Sequence, residues 1–164
     1  MRVVRLGRGD SDRVLGAAEL FDHPPDVRAV RAYLADRRNV LLLAYQGAVP
    51  IGFLRGTALL QLDSAQPQMF LYEIGVSRRF RRSGVGRALI HRLLTICRER
   101  GFEEVFVLTS PSNRAAVRLY RSTGGRTETT SDRMFVYDLA ASASRPRRGS
   151  RRTTRRRSRR PVTR

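Results

Sequence analysis

The chain has no lysine and no tryptophan, a single cysteine and two histidines, and each of these shortages removes a class of chemistry. Without lysine there is neither a Walker-type phosphate loop nor a Schiff base. Cys97, His23 and His91 cannot make a four-ligand Cys/His zinc site, and a lone cysteine forms no intrachain disulfide, which fits a reducing compartment. No apolar run approaches the ~20 residues that cross a bilayer, and Met1-Arg2-Val3-Val4-Arg5-Leu6 is too short and too charged for a signal-peptide core, so no membrane partner and a cytoplasmic location are expected.

What the chain has instead is arginine. All 33 basic residues are arginines, against 14 acids in 164 residues, for a net charge of +19. Eleven of them fall between Arg145 and Arg164, where there is no acid and almost nothing apolar. Such a segment cannot offset the entropy of its own ordering, and the expected organisation is a folded domain over 1–144 followed by a disordered arginine-rich tail over 145–164. Dense arginine is also the footprint of nonspecific nucleic-acid contact, although the tail has no aromatic residue on which bases could stack. The oligomeric state is left open, a homodimer included.

Within 1–144 the hydrophobic periodicity gives an alternation of elements. Residues 2–6 read as a strand, Asp10 or Ser11 as the cap of a helix carrying Val14, Leu15, Ala18 and Phe21 up to Pro24, and Asp26 to Arg37 as a second helix with Val27, Val30, Ala32 and Leu34 inward and Asn39 as its breaker. Val40–Tyr45 and Val49–Leu60 flank the turn Gln46-Gly47 as two antiparallel strands, and Gln68–Val76 is a third. Val85, Leu89, Ile90, Leu93, Leu94, Ile96 and Cys97 then recur at helical spacing up to Gly101. Val105–Leu108 reads as a buried strand, Ala115–Ser122 as a helix closed by Gly124-Gly125, and Met134–Leu139 as a last strand. The order βααβββαβαβ predicts an α/β fold with a mixed sheet.

The most informative stretch is Arg81-Arg82-Ser83-Gly84-Val85-Gly86-Arg87, between a strand and a helix. A helix start presents unpaired amides and about half a positive charge, glycines leave room for a close approach, and arginines offer forked donors to phosphate oxygens. A dinucleotide fingerprint would need a third glycine, which the Arg87-Ala88-Leu89 continuation lacks.

Together with Glu73-Ile74-Gly75-Val76 before it and Asn113 and Tyr120 after it, this loop resembles the GNAT (GCN5-related N-acetyltransferase) superfamily over about residues 2–139. Leu20-Phe21-Asp22, Tyr72–Val76 and Ala116–Tyr120 are most similar to the aminoglycoside 3-N-acetyltransferases. The resemblance implies a mostly antiparallel mixed sheet flanked by helices, with a splayed strand pair forming a cleft for acetyl-CoA, the co-substrate. It implies pyrophosphate contacts at Arg81, Arg82, Ser83, Gly84, Val85, Gly86 and Arg87, and main-chain bonds to the pantetheine arm from Ile74 and Val76. Asn113 is a further candidate for the pantetheine, or a helix cap. Glu73 would be the base that takes a proton from the incoming amine, directly or through water, and Tyr120 the acid that protonates the departing thiolate. The expected activity is acetylation of a small primary amine, the 3-amino group of an aminoglycoside first, as in antibiotic resistance. The alternatives are a protein or peptide N-acetyltransferase, and a non-catalytic nucleic-acid-associated protein working through the tail. His23 and the loop 22–27 are candidate acceptor walls, His91 reads as a surface residue, and Cys97 as core filling.

Overall fold

A computed structural model of the chain describes residues 1–127. The expected strand at Met134–Leu139, the boundary at 144 and the tail lie outside the described residues. Within them, β1 (Arg2–Leu6), β2 (Asn39–Gln46), β3 (Val49–Leu59), β4 (Gln68–Val76) and β5 (Glu104–Phe106) form one sheet in the order β1-β2-β3-β4-β5. The first three pairings are antiparallel and β4–β5 is parallel, which is the mixed, mostly antiparallel sheet expected. Helices α1 (Ser11–Leu15) and α2 (Val27–Ala35) cover one face, and α3 (Val85–Glu99) covers the other. A further helix, α4 (Arg114–Ser122), packs beside α3. No helix among the described residues is long and apolar enough to cross a membrane.

β2 shows how sequence becomes sheet. Val40, Leu42 and Ala44 enter the core under α3, whereas Leu41, Leu43 and Tyr45 enter the core under α1 and α2. A central strand covered on both faces buries every side chain, so its continuous apolar run is what two helical layers require. α3 lays Val85, Leu89, Ile90, Leu93, Ile96 and Cys97 on this sheet, the stripe its spacing predicts.

Three expectations change. The first helix ends at Leu15 because Gly16 weakens the helix interior, and the chain continues through a turn and the one-turn 3-10 helix Ala18–Leu20. α2 stops at Ala35, four residues before Asn39, and it buries Val30 and Leu34 but leaves Val27 and Ala32 exposed. Val105–Leu108 is shorter and less buried than expected: β5 ends at Phe106, and Leu108 is exposed.

Candidate active site

β4 carries the site because its pleat is interrupted. Arg55 of β3 lies opposite Glu73, yet the next residue, Gly56, lies opposite Leu71, so Tyr72 has no partner across the ladder. This bulge reverses the alternation. Met69 and Leu71 pack under α3, and beyond the bulge it is Ile74 and Val76 that do so. Glu73 and Gly75 thereby turn to the opposite face. Gly75 faces Phe53 there, so closely that an added Cβ would overlap the ring. Arg55 joins the two residues at the bulge: its Nε donates to Glu73 Oε2 at 2.7 Å, and its guanidinium carbon lies 4.3 Å from the centre of the Tyr72 ring.

Arg55, Tyr72 and Glu73 line a cavity of about 590 Å³ with Asp22, His23 and Asp26. The loop that supplies the acids is tied down by the start of α2, where Asp26 Oδ1 accepts from the Ala29 amide at 2.8 Å. Tyr33, also on the wall, donates its hydroxyl to the Gly56 carbonyl at 2.8 Å and so fastens α2 to β3. Burial pushes the Tyr33 phenol up, keeping it a neutral donor. Three carboxylates against one guanidinium, with His23 besides, make this wall net acidic on a protein that is otherwise strongly basic.

On the other side of β4, the parallel pairing with β5 covers Gln68, Met69 and Phe70 and then ends. From Leu71 to Val76 the β5-facing edge has no strand partner among the described residues, so no ladder hydrogen bond occupies its main-chain groups. Chain direction then leads through Arg78–Phe80 to the glycine loop. Arg82 (φ 62°) and Gly84 (φ 86°) are both left-handed there. Ser83 Oγ donates to the Phe80 carbonyl at 2.6 Å, and Arg81 Nε donates to the Val76 carbonyl at 3.3 Å. The first bond of α3 runs from the Ala88 amide to the Gly84 carbonyl, so the amides of Val85, Gly86 and Arg87 are spare. Those of Arg82, Ser83 and Gly84 likewise donate to no main-chain carbonyl among the described residues.

The two glycines serve different ends. Gly84 needs its freedom for a positive φ, and the space where its Cβ would sit is empty. Gly86 is small because α4 is close: an added Cβ would lie 3.0 Å from Leu119 Cδ2. Open amides, exposed arginines and an unpaired strand edge suit a long ligand with an anionic diphosphate and an amide-bearing arm, the chemistry of acetyl-CoA.

Asn113 caps α4, its Oδ1 accepting from the Ala116 amide at 3.1 Å. Tyr120 packs half-buried against the core under α3, and burial pushes its phenol up. His91 is exposed and Cys97 is buried, as expected. Sequence reasoning missed Arg55 and the role of Tyr72. A signal for Arg55 existed: it is the one charge in Val49–Leu60, and Glu73 is the one charge in Gln68–Val76.

A family model described as "Acetyltransferase (GNAT) family" matches residues 11–124. Among curated proteins, N-acetyltransferase 8 of Rattus norvegicus is 29% identical over 94 residues, covering 57% of this chain and 42% of that protein. N-acetyltransferase 8B of the same animal matches with the same identity and shares. The aligned stretch thus spans less than half the length of these relatives. Among solved structures, an aminoglycoside acetyltransferase from an uncultured soil metagenomic sample, in complex with sisomicin, superposes with a TM-score of 0.79 at 26% identity, covering 85% of this chain and 96% of that one. AAC(6')-Iy in complex with the bisubstrate analog CoA-S-monomethyl-acetylneamine shares the fold, with a TM-score of 0.69 at 20% identity over 85% of this chain and 97% of that one.

Proposed function

The chain belongs to the GNAT acetyltransferase family, and from that premise we propose that it moves the acetyl group of acetyl-CoA to a primary amine of a small polycationic molecule, an aminoglycoside at its 3-amino group. The observation that carries this reading is the acid-lined cavity at the β4 bulge. Asp22, Asp26 and Glu73 face one space of drug-like size, and Glu73 is the residue before Ile74, where the open strand edge continues. A polycation gains from such a wall, whereas the rest of the basic surface repels it.

Acetyl-CoA supplies the acetyl group as a thioester. On this chain the amides from Arg82 to Arg87 and the side chains of Arg81, Arg82 and Arg87 would hold its diphosphate, and the main chain of Ile74 and Val76 its pantetheine arm. Most primary amines are protonated at neutral pH, so a proton has to leave before attack. Glu73 takes that proton: one of its oxygens is engaged by Arg55, which leaves Oε1 to face the amine, directly or across a water. Main-chain donors beside the open edge of β4 stabilise the oxyanion. Tyr120 keeps its proton because burial raises its pKa, and a neutral phenol is the state able to donate to a departing thiolate. The soil metagenomic neighbour, an aminoglycoside acetyltransferase in complex with sisomicin, supports an aminoglycoside as the acceptor class.

Thiol release from acetyl-CoA, measured over aminoglycosides, simple amines and peptide N-termini with mass spectrometry of the product, tests the reading. Acetylation of an aminoglycoside at the 3-amino position is the expected result. Turnover of peptides with none of aminoglycosides would transfer the activity to protein substrates.

A further inference from the structure

Arg55 meets no substrate group in that chemistry. A guanidinium on the wall of a pocket for cations is repulsive to the substrate, and one hydrogen bond to Glu73 uses a single nitrogen of three. Its two terminal nitrogens have no hydrogen-bond partner among the described residues, although Arg55 lines the cavity. Its orientation is fixed twice, by the 2.7 Å bond from Nε to Glu73 Oε2 and by stacking over the Tyr72 ring. Both partners owe their place to the bulge, which turns two consecutive residues of β4 toward the one residue of β3 that can reach them. Free donors are therefore held rigidly beside the carboxylate proposed as the base.

We propose that Arg55 determines acceptor specificity: its terminal N–H groups donate to a neutral oxygen, ether or hydroxyl, on the carbon next to the reactive amine, so that the site selects amines with a vicinal oxygen, of which an amino alcohol is the simplest. The inference rests on Glu73 facing that amine. The geometry requires the two recognised groups to be neighbours on the substrate, because Arg55 and Glu73 are directly opposite across the ladder and in contact. A guanidinium fork suits a carboxylate equally well, but Asp22 and Asp26 on the same wall oppose a substrate anion. A neutral hydroxyl accepts from Arg55 with no such opposition. An amino alcohol also resolves the charge conflict: its ammonium meets Glu73, Asp22 and Asp26, and its hydroxyl oxygen meets the cation.

The test is a substrate-by-mutant cycle on the full chain with three matched ring amines: trans-2-aminocyclohexanol, cyclohexylamine and trans-2-aminocyclohexanecarboxylate. In the wild type, kcat/KM for the amino alcohol should exceed that for cyclohexylamine by roughly 10- to 100-fold, the range for a hydrogen bond to a charged group. Arg55→Gln should bring this ratio near one, Arg55→Lys should keep part of it, and KM for acetyl-CoA should stay within about twofold in both. A structural role would lower all three substrates together and leave the ratio intact. An unchanged ratio in Arg55→Gln overturns the proposal, and so does preference for the carboxylate or absence of turnover with the amino alcohol. If Arg55→Gln fails to fold, Arg55→Lys carries the same ratio test. Glu73→Gln separates this inference from its premise: full kcat in that variant removes Glu73 as base, while the hydroxyl preference read in the same variant still judges Arg55.

Discussion

β2 and β4 are neighbours once removed in one sheet, and they solve different problems. β2 alternates without interruption between two cores from Val40 to Tyr45, and all six side chains are buried. β4 buries only Met69 and Leu71, on the α3 side, then slips by one residue, and past the slip its side chains are half-buried or exposed. The regular strand contributes stability, and the irregular one places a carboxylate, a phenol ring and an open edge where chemistry needs them. A bulge costs ladder hydrogen bonds, and the polar residues at this one form no core. The comparison teaches that stability and activity are separable on this sheet, residue by residue.

The largest expected effect tests that separation directly. Leu42 is fully buried in the core under α3, and Leu42→Ala should destabilise the fold by about 2–5 kcal/mol in a denaturant titration. Tyr72 is 60% exposed, and Tyr72→Ala should cost under about 1 kcal/mol, mostly the stacking with Arg55, yet lower kcat/KM several-fold. Equal destabilisation by the two changes would erase the distinction between the strands.

Glu73→Gln and Tyr120→Phe come next. Each should reduce kcat by roughly 10- to 1000-fold while the melting temperature still rises with acetyl-CoA, since each removes a proton-transfer group and leaves the glycine loop intact. Full activity in both variants, under conditions where proton transfer limits the rate, would strip β4 and α4 of these roles.

A smaller effect separates the glycines of the loop. Gly84→Ala forces a side chain into a left-handed conformation and should cost on the order of 1–2 kcal/mol. Gly86→Ala gains about 1 kcal/mol of helix propensity against a contact with the mobile end of Leu119, so its net effect should be near zero. Gly84→Asp adds a carboxylate among the open amides, and the rise in melting temperature with acetyl-CoA should vanish.

How much of this was legible depended on whether a feature is local. Periodicity alone placed α3 and β4, because apolar spacing on a central element repeats what the neighbouring layers bury. The glycine loop was legible as a strand–loop–helix motif, but the separate duties of Gly84 and Gly86 were not, since one concerns a dihedral angle and the other a helix far along the chain. The bulge was hidden because a register slip is a property of two strands, and Tyr72-Glu73-Ile74 reads as an ordinary strand segment. Arg55 was legible as the one charge of an apolar strand, but its partner was hidden for the same reason, because the register decides which residue it meets. The cavity draws Asp22, His23 and Asp26 from a loop whose path no periodicity specifies.

The smallest effect lies under α3, on the structural side of the comparison. Cys97 is buried on the helix stripe, and burial pushes its thiol up to about 11, outweighing the opposing pull of Arg100, Arg5 and Arg98. A thiol that stays protonated in a close-packed core is a poor nucleophile, so iodoacetamide at pH 8 should alkylate the folded protein far more slowly than the denatured chain. The same shift has a sign for stability. The folded pKa lies above the unfolded value near 9, so the folded state holds the proton longer. Its contribution is complete below about pH 9 and fades as the pH rises through about 11. The melting temperature should therefore fall over that interval, and fall less steeply in Cys97→Ala, with the raised phenols of Tyr33 and Tyr120 supplying the slope that remains. Alkylation of the folded protein at the rate of a free thiol would mean that the core under α3 opens as readily as the cavity side, and the contrast drawn from β2 and β4 would not extend to the layers that cover them.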